Sequence, residues 1–283
     1  MKLEIGSKEW LEARRKLITA TDAAPIMGLS PWKTARQLYF DKMEARETVQ
    51  NDAMKRGNDL EPEARRAFEQ ITGHFVNPEW ITNYAFPWMG ASMDGINDAG
   101  ICCEIKCPGK ADHDIAVSGK VPDKYYPQLQ HQIVVAGVND IYYFSYRPGD
   151  IQPCALIKVA RDFDFVPGMM KMEKEFWDNM QLGIPPEPTA KDLVKREDRT
   201  WLMLEEELSH LITQSKAIEE RKENLKRKLI DLCGEKPSVG YRIKMIPVHT
   251  KGHIDYSSVP ELQNVNLEAY RKPAMIRWRM DQI

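Results

Sequence analysis

With 283 residues, 42% of them hydrophobic, the chain can bury one substantial core and a smaller second one, and its formal net charge of -2 excludes nucleic-acid binding through overall basicity, leaving local basic clusters for that role. No apolar run reaches transmembrane length and Met1-Lys2-Leu3-Glu4 lacks the apolar stretch of a signal peptide, so a soluble, cytoplasmic protein is expected. Five cysteines, three of them crowded at Cys102, Cys103 and Cys107 and none in Cys-x-x-Cys spacing, suit reduced, buried thiols rather than disulfides or a zinc or Fe–S site.

Taken in order, Ser7 caps a first helix that is expected to end near Ile18. Thr19 to Asp22 offers the cap of a second, short helix through Met27 that Gly28 closes, and Pro31 opens a third carrying Leu38, Tyr39 and Met43. From Asn51 to Thr72 a long helical pattern places Leu60, Ala64, Ala67, Phe68 and Ile71 on one stripe, with Glu61 beside it and Pro62 marking a start or a kink. His74 to Met89 reads as one or two strands. It leads into a hairpin in which Ser92-Met93-Asp94-Gly95 and Ile101 to Cys107 flank the polar turn Asn97-Asp98-Ala99-Gly100, the second strand being of alternating polarity.

Helices follow at 111–118 and 122–138, the second with Gln128 and Gln132 one turn apart. Two strands, 140–146 and 155–160, and a helix from about Pro167 to Leu182 complete the first unit, residues 1–189. In the extension, 190–283, Trp201, Leu204, Leu208, Leu211, Ile218, Leu225, Leu229 and Leu232 recur at three- and four-residue steps, as one long helix or a helix pair. Strands are expected at 239–248 and 276–280. Between Gly240 and Ile283, seven Lys/Arg face four Asp/Glu, with Tyr241, Tyr256, Tyr270 and Trp278 interleaved, which reads as a small α+β module or a nucleic-acid surface.

The hairpin carries the chemistry. Glu104 and Lys106 lie two apart on one strand and share a face, and the turn brings Asp94 to the same end. Carboxylates held together repel unless a cation sits between them, and oxygen ligands suit Mg²⁺ or Mn²⁺. A lysine beside such a metal orients or helps deprotonate an attacking water and offsets charge on a phosphate, which is the arrangement for phosphodiester hydrolysis. The bland alternative is a surface hairpin with Glu104 and Lys106 solvated, Glu61 and Arg14 as ordinary helix-surface charges and Trp10 as core.

Five blocks in order decide between these: Trp10-Leu11-Glu12-Ala13-Arg14 running into Ile18-Thr19-Ala20-Thr21; Arg56-Gly57 ahead of Leu60-Glu61-Pro62; Ala91 to Gly95; Glu104-Ile105-Lys106-Cys107-Pro108; and Tyr125-Tyr126-Pro127-Gln128-Leu129-Gln130. Over residues 7–182 they resemble the phage recombination exonucleases of the YqaJ and lambda exonuclease family, on the PD-(D/E)XK nuclease core. The resemblance implies an α/β (α+β) fold with a mixed central sheet flanked by helices. It implies that Asp94, Glu104 and the Ile105 carbonyl bind Mg²⁺ (Mn²⁺ as a substitute), with Glu61 a further ligand or water partner, Lys106 positioning the water and Gln128 orienting the site. Arg14, Thr19, Thr21 and Ser92 match the positions that grip a 5′-phosphate, with Trp10 near the duplex end. Implied partners are double-stranded DNA ends and a single-strand annealing protein, in a homo-oligomer such as a trimer, of phage or prophage origin in a bacterial host. Met93 departs from the Pro usual before the Asp. The competing readings are a Cas4/RecB-like nuclease, against which it counts that only Cys233 lies downstream of Cys154, and a non-catalytic DNA-end-binding scaffold, against which the presence of Asp94, Glu104 and Lys106 counts.

Overall fold

The Ser7 side chain accepts a hydrogen bond from the Trp10 amide and starts α1 (Lys8–Lys16). This computed structural model describes residues 3–45 and 51–248, together with Val259 and Val265. The helix stops short of the expected Ile18 because that residue and Thr19 turn into a two-residue strand, β1 (Ile18–Thr19), whose Ile18 amide donates to the Trp88 carbonyl at 2.9 Å. Thr19 then caps α2 (Ala20–Ile26): Asp22 accepts from both the Thr19 amide, at 2.7 Å, and its hydroxyl, at 2.8 Å. A third helix, α3 (Ala35–Met43), begins at the Thr34 cap and not at Pro31, since Thr34 and Gln37 exchange side-chain bonds with each other's amides.

Pro62 neither starts nor ends α4 (Asp52–Thr72), which Asn51 caps and Gly73 closes in the left-handed region at φ 72°. Ala64 and Phe68 are its buried stripe, whereas Ile71, expected there, is exposed. The strands β2 (Asn77–Thr82), β3 (Met89–Ile96) and β4 (Cys102–Lys106) follow, then α5 (Lys110–Val117), α6 (Tyr126–Ala136), β5 (Asp140–Tyr146), β6 (Cys154–Ala160) and α7 (Phe165–Leu182). Together with β1 the strands make one six-stranded mixed sheet in the order β1-β3-β4-β5-β6, with β2 also on β3.

The sheet is split where the chemistry is expected. β1 runs parallel to the start of β3, at Met89 and Gly90, while β4 pairs antiparallel only with its end, at Gly95 and Ile96; residues 91–93 between them pair with β2 alone. Gly95 is required at this junction, because a Cβ there would lie 2.5 Å from Val76 and 2.6 Å from the Cys103 sulfur. The expected alternating polarity of β4 is not found: Cys102 to Ile105 are all buried, since α4 covers one face and α6 the other. Cys103 and Ile105 join the smaller core under α4 with Ala64, Phe68, Phe144 and Tyr146. The larger core holds Met89, Ala91, Met93, Leu129, Ile133 and Tyr143 among its members. All five cysteines are free; Cys102 and Cys103 are buried, whereas Cys107, Cys154 and Cys233, expected to be buried as well, are half-buried.

Inside that larger core lies an ion pair, with His131 Nδ1 on the Glu173 carboxylate at 2.8 Å and Nε2 3.2 Å from the Gly90 carbonyl, both side chains fully buried. Burial works against the imidazolium, but the charge and hydrogen bond of Glu173, the Gly90 carbonyl and the charge of Asp22 outweigh it, so the His131 pKa lies above its ordinary 6.5. A raised folded-state pKa contributes stability that is complete below the unfolded value and lost as pH rises through the folded one. His131→Gln is therefore expected to cost about 3–5 kcal/mol below pH 6, the cost of leaving one partner of a buried pair alone. In denaturant titrations its deficit against wild type should shrink as pH rises; a deficit that grows with pH contradicts this reading.

The chain divides into two units, Met1–Leu193 and Val194–Ile283. In the second, α8 (Arg199–Cys233) is a single helix and not a pair, capped by Asp198, and β7 (Ser238–Val239) and β8 (Lys244–Met245) form a short antiparallel hairpin. Tyr256, Tyr270, Trp278 and the strand expected at 276–280 lie outside the described residues. Among the described residues, no helix is long and apolar enough to cross a membrane.

Candidate active site

The split in the sheet lets the Asp94 side chain replace a strand-to-strand bond: one carboxylate oxygen accepts from the Ile105 amide at 2.8 Å. Period-two alternation then sends Glu104 and Lys106 to the α6 side of β4. The Glu104 carboxylate, 2% exposed, is bonded by the Lys106 ammonium and by the amide groups of Gln128 and Gln132, one turn apart on α6. Asp94 thus meets Glu104 and Lys106 through the main chain of the residue between them, rather than by direct contact. From α4, Arg65 donates from Nε to the Asp94 carbonyl at 2.9 Å and from its other end to Glu61. Arg56 donates to the Pro108 carbonyl at 3.1 Å, tying α4 to the exit of β4.

The electrostatics follow from this crowding. The Asp94 carboxyl is held well above the usual carboxylate range, first by its withdrawal from water and then by the charges of Glu104 and Glu61, which Lys106 and the Ile105 amide only partly offset. Burial alone would lower Lys106, but Glu104 and Asp94 overcome it and hold the ammonium above its ordinary range. The thiol of Cys107 is pushed up to about 11, by burial first and then by Glu61 and Asp94, and that of Cys103 further still. Neither suits nucleophilic catalysis.

No three His, Cys, Asp or Glu side chains converge on one point among the described residues. The donors on offer are two carboxylates, Asp94 and Glu104, with the Ile105 carbonyl next after Glu104 on β4 and Glu61 bonded to Arg65. An all-oxygen, net acidic set of this size fits a hard divalent cation and no soft one. The buried Gln132 Oε1 has no partner, so the interior beside Glu104 carries an acceptor in excess.

A second cluster joins the N-terminal elements to β3. The Trp10 indole donates to the Ser92 hydroxyl at 3.0 Å, the Arg14 guanidinium stacks 4.6 Å over the Trp10 ring, and Arg14 donates to the Thr21 hydroxyl at 3.3 Å. The Thr19 and Thr21 hydroxyls are 3.2 Å apart. The four residues that the resemblance associates with a 5′-phosphate and Trp10, associated with the duplex end, are therefore neighbours, but they differ in availability. Thr19 is buried with its proton given to Asp22, while Thr21 is exposed. Beneath them the buried Lys42 joins the Arg14 and Leu17 carbonyls, at 2.7 and 2.9 Å, to Asp22 at 2.7 Å.

The sequence gives no role to Gln132, noted only for its spacing from Gln128, nor to Arg65 and Lys42. The first two had a signal in their spacing, since Gln128/Gln132 and Glu61/Arg65 are both i,i+4 pairs on one helix. Lys42 had none, because its partners lie 20 or more residues away.

The YqaJ-like viral recombinase domain family matches residues 9–139, a span that contains every residue of both clusters. The YqaJ protein of Bacillus subtilis (strain 168) is 26% identical over 248 residues, covering 76% of this chain and 77% of that protein. Among solved structures, the alkaline exonuclease LHK-Exo of Laribacter hongkongensis, known also in complex with dAMP, matches with a TM-score of 0.55 and 25% identity over 62% of this chain and 93% of its own. Residues 9–139 are thus similar to the YqaJ-like viral recombinase domain, and the chain has the PD-(D/E)XK fold of the alkaline exonucleases.

Proposed function

We propose that this chain is a divalent-metal-dependent exonuclease that resects double-stranded DNA from its 5′ ends and supplies single strands for recombination by annealing. The observation that carries the reading is the β4 geometry: a buried Glu104 bonded to Lys106 and two glutamines, with Asp94 one main-chain hydrogen bond away. Asp94, Glu104 and the Ile105 carbonyl would hold Mg²⁺, or Mn²⁺ in its place, and Glu61 would adjust the acidity behind them. When bound, such a cation polarises a phosphodiester and lowers the pKa of water. Gln128 and Gln132 fix the rotamer of Glu104, and Lys106 brings a cation to where charge grows on the phosphate as the bond to the leaving oxygen lengthens. The Lys106 ammonium is 5.4 Å from the Tyr125 ring, which narrows the range of positions it can take.

Arg14, Thr21 and Ser92 grip the terminal phosphate in this reading. Thr19 acts from behind, fixing Asp22 and the start of α2, and Trp10 lies at the duplex end. The protein would work in the cytoplasm of a bacterial host beside an annealing protein. End-labelled linear duplex and a covalently closed circle, each with Mg²⁺ and with EDTA, test the proposal. Cleavage of the linear duplex alone, and only with Mg²⁺, is expected. Equal degradation of the circle would remove the exonuclease assignment, and undiminished cleavage in EDTA would remove the metal.

A further inference from the structure

α8 is 35 residues long, about 52 Å at 1.5 Å per residue, and none of its described residues is buried. A polar or marginal helix of this length would be solvated all round, but this one has an apolar seam interrupted only at Ser215 and Lys222. Its steps alternate three and four residues from Trp201 to Leu232, which assigns Trp201, Leu208, Ser215, Lys222 and Leu229 to heptad position a. Position d is then Leu204, Leu211, Ile218, Leu225 and Leu232, with no polar exception. These side chains lie open, Ile218 at 66% and Leu232 at 84% exposure. A sustained apolar stripe of that kind is stable in water only when covered.

The geometry points to a second copy of this chain as the cover, paired antiparallel along α8. Charge decides both the partner and the direction. The first heptad is acidic at its flanking positions, Glu205 and Glu207, and the fourth is basic, with Lys226 and Lys228. An antiparallel pair that sets Leu208 against Leu225 of the second copy, and Ser215 against Ile218, also sets Glu205 against Lys226 and Glu207 against Lys228. Both contacts occur twice by the two-fold symmetry. Lys222 then faces Leu211, where its stem packs and its ammonium reaches outward toward Glu219 of its own helix, its partner at 2.9 Å. In a parallel, in-register pair the same residues conflict: two Lys222 side chains share one core layer, and Arg221 faces Lys226. Repulsion of that kind is how coiled coils reject an orientation.

The test reads mass and cross-linking, not cleavage, so it stands or falls apart from the nuclease proposal. Light scattering of the full chain is compared with the Leu211→Glu/Ile218→Glu variant, with circular dichroism to confirm that α8 remains helical. The variant should have a lower mass than wild type, half of it where α8 is the contact that joins the copies. An unchanged mass overturns the proposal and leaves the seam to be covered by the chain's own later residues. Direction is read by disulfide trapping in a Cys233→Ser background. Leu208→Cys and Leu225→Cys proteins should cross-link when mixed and not when alone, whereas self-linking of Leu208→Cys alone shows a parallel pair and overturns the antiparallel one.

Discussion

Glu104→Gln is expected to lower the rate of duplex degradation on the order of 10³-fold or more, because several kcal/mol of transition-state charge stabilisation depends on the carboxylate it removes. The substitution keeps the shape of a side chain that is 2% exposed, and the new amide finds an acceptor in the unpartnered Gln132 Oε1. Lys106, which loses its partner, is partly open to water and can be solvated. The fold should therefore survive, whereas Glu104→Ala would leave a cavity and two orphaned glutamine amides beside it. Thermal melting within a few degrees of wild type, together with lost cleavage, is the expected pair of results. A folded variant that cleaves within tenfold of wild type takes Glu104 out of the site.

The second large effect concerns the chain end. Arg14 can take a terminal phosphate through two parallel charge-assisted bonds, and its guanidinium is already oriented by the Trp10 ring and the Thr21 hydroxyl. Trp10 in turn is bonded to Ser92, two residues before Asp94 on β3, so the proposed phosphate pocket and the acidic site share one strand. Positioning of this kind is worth about 10²-fold or more in rate. Removing the phosphate and removing Arg14 delete the same interaction, so the two losses should be similar singly and far from additive together. Initial rates of wild type and Arg14→Ala on 5′-phosphorylated and 5′-hydroxyl duplex measure this. A full preference for the phosphate in Arg14→Ala places the pocket elsewhere.

Much of the fold was legible because its signals are local. The Asn97–Gly100 turn marks the hairpin, helical spacing marks α4, α6 and α8, and α4 and α7 end at Thr72 and Leu182 as expected. What escaped depends on distant partners. β1 is two residues long, too short for any periodicity, and exists because β3 offers Met89 and Gly90 to pair with. The burial of β4 on both faces could not be read from its own residues, since Glu104, two apart from Lys106, looks like part of a solvent face unless Gln128 and Gln132 are known to cover it. At the candidate site the spacing of Glu104 and Lys106 predicted their contact, and the order of the blocks brought Trp10, Arg14, Thr19, Thr21 and Ser92 into one group. The commitment of the Thr19 hydroxyl to Asp22 was written in the cap signal itself, which serves a helix start and a phosphate grip equally well.

The central claim is that the Asp94–Glu104 site holds a divalent cation while Lys106 acts on the substrate, and Mn²⁺ titration followed by calorimetry separates these roles without DNA. Wild type and Lys106→Met are expected to bind Mn²⁺ with similar affinity, the second while failing to cleave; Asp94→Asn and Glu104→Gln are expected to lose the binding. Mn²⁺ uptake by a folded Glu104→Gln protein equal to that of wild type would contradict the account.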